Sequence, residues 1–164
     1  MSEFSFDVVS KVDLQAVDDA INIAMKEIQN RFDFKGSVSS INLDKKTGEM
    51  TITSDDDNRL KVVHDIIKTK FIKRGVSLKN LDLGKIEPAE NSSVRQKAKI
   101  IQGIATEKAK AITAAIKASG RKVNPSIMGD HVRVFSKSKD ELQATMGLLR
   151  ANDYGVELTF ENYR

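Results

Sequence analysis

Two residue rhythms alternate along this chain, and their order leaves few folds open. Apolar residues recurring every three or four positions fit a helix face, and apolar residues alternating with polar ones fit a half-buried strand. The first helical segment covers about 14–32, where Leu14, Val17, Ile21, Ala24, Met25, Ile28 and Phe32 share one face and Asp13 is placed to cap it. A second covers about 57–74, with Leu60, Val63, Ile66, Ile67 and Phe71 inward and Gly75 as its stop. A third covers about 104–119 and ends before Gly120. A fourth opens at Ser138, where Ser138-Lys139-Asp140-Glu141 has the form of a capping box.

Strand-like runs fill the intervals at about 4–9, 37–43, 49–53, 78–86, 94–102, 123–128, 131–135 and 156–160. Two of the connections read as hairpins. One turns through Lys45-Lys46-Thr47-Gly48, the other through Gly129-Asp130, where Gly tolerates the positive φ of a two-residue loop. The order strand, helix, hairpin, helix, strand therefore occurs twice. This predicts an α+β fold of two tandem ferredoxin-like β-α-β-β-α-β units, with antiparallel sheets and both helices of each unit on one sheet face. The expected domains are residues 1–88 and 89–164.

Composition removes several classes of function. The chain has 164 residues and no Cys, which excludes disulfides, thiolate nucleophiles and Cys-ligated zinc. A reducing, cytoplasmic setting is expected. The opening residues lack a basic segment followed by an apolar run, and no stretch approaches the ~20 apolar residues of a membrane span. Phosphate-loop, dinucleotide-loop and nucleophile-elbow spacings are missing. His64 and His131 stand far apart in sequence, and Asp55-Asp56-Asp57 reads as charge at a helix N-terminus. No catalytic residue, metal ligand or cofactor is expected. Residues 1–82 carry 13 Lys/Arg against 14 Asp/Glu, and residues 83–164 carry 14 against 9, so the second half is the basic one. Such a bias points to an anionic partner.

The candidate binding residues lie in both halves. In Arg31-Phe32-Asp33-Phe34-Lys35-Gly36 two aromatics interleave with charges, a pattern in which a ring can stack on a base while cations meet phosphate. Lys70, Lys73 and Arg74 end the second helix, and Lys122, Arg133, Lys137 and Lys139 surround the second hairpin. Arginine binds phosphate oxygens in a fork and also stacks, which favours Arg31, Arg74 and Arg133. Phe34, Lys35 and Lys137 complete the expected nucleotide site.

Along essentially its whole length the sequence resembles the YajQ family of bacterial nucleotide-binding proteins. The resemblance rests on Ser5-Phe6-Asp7-Val8-Val9-Ser10, Val12-Asp13-Leu14-Gln15, Arg31 to Gly36, Lys73-Arg74-Gly75, Gln102-Gly103-Ile104, Val132-Arg133-Val134, Asp140-Glu141-Leu142-Gln143 and Phe160-Glu161-Asn162-Tyr163-Arg164. Two places depart from the family pattern. Phe135-Ser136 precedes Lys137 where a small residue and Gly are usual, and Glu141 replaces an Asp. The resemblance implies two domains likened to RNA-binding (RNP-like) modules, with first strands, about 4–10 and 94–102, exchanged between them. It also implies a nucleotide effector of the cyclic-di-GMP or GTP type acting with a transcriptional regulator, or alternatively a module that binds tRNA or other RNA on open sheet faces. It implies no reaction.

Overall fold

The computed structural model describes residues 3–164. In chain order its elements are β1 (Phe4–Val9), α1 (Leu14–Asn30), β2 (Ser40–Asp44), β3 (Glu49–Ser54), α2 (Asp57–Lys73), β4 (Leu81–Pro88), β5 (Val94–Ile100), α3 (Thr106–Ala118), β6 (Asn124–Met128), β7 (His131–Ser136), α4 (Lys139–Arg150) and β8 (Thr159–Glu161). The fold is α+β, with four helices and two four-stranded antiparallel sheets. Contacts divide the chain into two compact units, Val12–Ile101 and Met1–Lys11 with Gln102–Arg164.

In the Val12–Ile101 unit the strand order is β2-β3-β5-β4. Met50 and Ile52 of β3, Ile41 of β2, and Ala98 and Ile100 of β5 bury one sheet face against Val17, Ile21, Ala24 and Ile28 of α1 and Leu60, Val63, Ile67 and Phe71 of α2. Asp13 caps α1 by accepting from the Gln15 N–H, as its position before the first apolar residue predicts. Helix α1 ends at Asn30, two residues sooner than its apolar period suggests, and Phe32–Phe34 form a single 3-10 turn. Residues 37–39 do not join β2. Their hydroxyls are drawn instead into a chain in which Ser37 meets Asp55 and Ser39 Oγ lies 2.8 Å from Ser54 Oγ. Strand β4 carries a bulge between Leu83 and Ile86. A Cβ on Gly84 would lie 2.6 Å from the Lys97 carbonyl oxygen, so the bulge needs glycine there. Buried Gln96 fixes it, donating from Nε2 to the Gly84 carbonyl at 2.6 Å while its Oε1 meets His64 Nε2.

In the other unit the order is β6-β7-β1-β8. Phe6 and Val8 of β1 and Val132 and Val134 of β7 pack on Ala109, Ile112 and Ile116 of α3 and Leu142, Met146 and Leu149 of α4. Phe160 meets Phe6 edge to face at 5.5 Å. Ser138 caps α4 by accepting from Glu141 N, and Gly129 takes φ +64° in the two-residue turn between β6 and β7.

Candidate functional site

The Met1–Lys11 with Gln102–Arg164 unit holds a hollow of about 620 Å³ where β7 ends, α4 begins and β6 sets out. Ser136 builds its floor. Its buried hydroxyl donates to the Lys122 carbonyl at 2.8 Å and accepts from the Ser138 N–H at 3.1 Å, which joins the two chain segments. Arg121, Lys122 and Lys137 line the hollow together with the carboxylates of Glu3 and Glu141, and Asn124 and Ser138 are neutral donors. Arg121 reaches Glu141 at 3.8 Å. Among the described residues, no carboxylate lies within 4 Å of the ammonium of Lys122 or Lys137. The positive end of the α4 dipole faces the same space. Two unpaired ammonium groups, a guanidinium and a helix start make this a region suited to phosphate.

A second cationic surface lies on the Val12–Ile101 unit. On β5, Ala98 and Ile100 point to the core, so Arg95, Lys97 and Lys99 point the other way. Register places Thr53 beside Arg95, Thr51 beside Lys97 and Glu49 beside Lys99 on β3. Cations thus recur about 6.6 Å apart along a strand. The alternation Val94-Arg95-Gln96-Lys97-Ala98-Lys99-Ile100 carries this signal in the sequence, yet it does not appear among the expected site residues.

The expected residues are distributed over both units. Arg31 and Phe34 lie together in Val12–Ile101, where the Arg31 guanidinium sits 5.6 Å and that of Arg59 5.2 Å from the centre of the Phe34 ring. Phe34 is only 5 % exposed, so its ring belongs to the core, and the exposed ring of the motif is Phe32 at 89 %. Arg31 forks onto Asp33 through two 2.9 Å bonds, which hold the Asp33 carboxyl below its ordinary range. Lys35 is exposed just past the turn. Arg74 is exposed at the far end of α2, fifteen residues and therefore about 22 Å along the helix from Arg59. In the other unit, Arg133 is committed to Asp7, and Lys137 lines the hollow described above. Among the described residues no group of three His, Asp or Glu could hold a metal ion, and no helix is long and apolar enough to cross a membrane.

Fold and surface together define a tandem β-α-β-β-α-β protein that presents cationic groups on preformed ground. The chain belongs to the YajQ family: the family model described as nucleotide-binding protein YajQ-like matches residues 4–164. It is similar to a protein of Elusimicrobium minutum called nucleotide-binding protein, 51 % identical over 164 residues and all of both chains. It is also similar to proteins of the same name from Chloroherpeton thalassium, 52 % identical, and Carboxydothermus hydrogenoformans, 49 % identical, each over 163 residues and 99 % of both chains.

Proposed function

We propose that this chain is a non-enzymatic nucleotide-binding protein, an effector that takes cyclic-di-GMP or a GTP-type nucleotide. The names of its relatives support nucleotide binding. The observation that carries the reading is the hollow where Lys122 and Lys137 stand unpaired beside Arg121 and the start of α4. Phosphates bring multiple anionic oxygens to such a place, and charge-assisted bonds to them are about twice as strong as neutral ones. Calorimetric titration with cyclic-di-GMP and with GTP tests it. Binding that falls at least tenfold in Lys137→Glu, with unfolding unchanged, is the expected result. No heat from either nucleotide at high protein concentration overturns it.

The Arg95, Lys97 and Lys99 row favours a second reading, an RNA-binding module in which the sheet face tracks a phosphate backbone. Filter binding of tRNA at two salt concentrations separates the readings. Counterion release makes RNA affinity fall steeply with salt, and Lys97→Glu with Lys99→Glu would flatten that slope.

A further inference from the structure

The hollow at the start of α4 has a counterpart in the Val12–Ile101 unit. Ser136 ends β7 and pairs with Phe4 at the start of β1, and Ser54 ends β3 and pairs with Val94 at the start of β5. Both serines are buried. Each hydroxyl contacts the segment before the hairpin's first strand, at Lys122 in one unit and Ser39 in the other. Each serine is followed two residues later by a helix cap, Ser138 or Asp56. The frames correspond, but the lining does not. Asp55 stands where the first hollow has Lys137.

This second hollow, about 520 Å³, is lined by Val38, Thr53, Asp55, the link Ala89–Ser93 and Arg95. Its size lies within the range of small-molecule sites. Arg95 Nε is buried with no hydrogen-bond partner, and Nη2 has only a long 3.4 Å contact with Glu87. The Asp55 oxygens are taken up by the Ser37 hydroxyl and the Val38 N–H. Glu90 is exposed and has no side-chain partner among the described residues. The link is held in an unusual shape. Asn91 and Ser92 both have left-handed backbones, φ 55° and 62°, while the Ala89 N–H donates to the Ser93 carbonyl at 2.8 Å and Ser93 Oγ to the Glu90 carbonyl at 2.6 Å. Asn enters this region at little cost, but Ser92 loses about 1–2 kcal/mol there, a strain that persists where surroundings enforce it.

A guanidinium and a free carboxylate in one hollow match one nucleobase. Guanine offers O6 and N7 as acceptors to arginine, and N1–H with the exocyclic amine as donors to a carboxylate. Adenine has an acceptor at N1, so it cannot give a carboxylate that pair of donors. We propose that this hollow is a second nucleotide site that reads guanine, with Arg95 on O6 and N7, Glu90 on N1–H and the amine, and Val38 against the ring. Lys97, the next outward residue of β5, meets the phosphate. The inference rests on the nucleotide-binding reading and goes beyond it in naming a second site and the residues that would read the base.

The test is titration of the ¹⁵N-labelled full chain with GMP and, separately, AMP. GMP should shift amides of residues 53–55 and 89–97, with AMP at least tenfold weaker. Glu90→Ala, a change at an exposed position, should bring GMP affinity down to that of AMP and leave the rest of the spectrum in place. Arg95→Met should weaken GMP at least tenfold. Equal binding of GMP and AMP, or GMP shifts confined to the surroundings of Lys122 and Lys137, would overturn the guanine site and leave the nucleotide-binding reading standing. No shift with either nucleotide would also overturn the guanine site, while the cyclic-di-GMP and GTP titrations decide the nucleotide-binding reading separately.

Discussion

Arg133 of β7 clamps Asp7 of β1 across the sheet, with Nε donating to Oδ1 at 2.7 Å and the two residues directly opposite in register. Asn162 Nδ2 donates to the second oxygen at 2.8 Å, and the aspartate is 3 % exposed. Arg133 is therefore a fastener of its own sheet.

Acid should loosen that fastener. The Arg133 hydrogen bond, joined by Asn162, holds the Asp7 carboxyl below its ordinary range even though burial opposes this. A depressed aspartate contributes stability that is complete above the unfolded value, about 3.9, and lost as pH falls through the native one. Urea unfolding from pH 6 to pH 2 should show this acid-side loss in the wild type and a shallower one in Asp7→Asn. At pH 7, Arg133→Met should cost about 1–3 kcal/mol, because it leaves a buried carboxylate under-bonded. An unchanged urea midpoint would contradict the structural role.

Gly84 and Gly147 should respond to alanine with opposite signs. A Cβ at Gly84 strikes the Lys97 carbonyl, whereas one at Gly147, inside α4, meets nothing within 4 Å. Gly84→Ala is expected to destabilise by about 1–3 kcal/mol through forced displacement of backbone. Gly147→Ala should stabilise by about 0.5–1 kcal/mol through helix propensity. Thermal unfolding of both variants decides the matter.

Phe34→Ala should cost about 3 kcal/mol by opening a cavity in the core, and Phe32→Ala should stay within about 0.5 kcal/mol. If instead Phe34→Ala abolished nucleotide binding while leaving the unfolding midpoint in place, the core assignment of its ring would be wrong.

Fragments offer a test of the units. Residues 12–101 contain all of β2, β3, β5 and β4 with both helices of that unit. That fragment should unfold cooperatively by circular dichroism. Residues 1–88 lack β5, the strand between β3 and β4, and should give no cooperative transition.

Helix faces and caps were legible in the sequence because they depend on near neighbours. Leu60, Val63, Ile67 and Phe71 repeat at helical intervals, and Asp13 and Ser138 cap the helices they precede. The two phenylalanines of the Arg31 motif were not legible. Extending the α1 period makes Phe32 face inward, but the helix stops at Asn30 and the 3-10 turn buries Phe34 instead. Partners distant in sequence left no mark in the residue rhythm, and the charge balance of each compact unit stayed hidden with them. By compact unit, Val12–Ile101 holds 16 Lys/Arg against 14 Asp/Glu, and the remainder holds 11 against 9, so each carries +2. The basic second half is a feature of chain order. Strand β5 brings Arg95, Lys97 and Lys99 into the sheet of β2 and β3.

The neighbours of β1 also set a timetable for synthesis. Phe6 is made long before its cross-strand partner, Val134. The β6-β7-β1-β8 sheet must wait for the ribosome to deliver β7 and β8, while Val12–Ile101 is already whole once Ile101 emerges. During translation Phe4 to Val9 therefore stays without its sheet partners until β7 and β8 have been made.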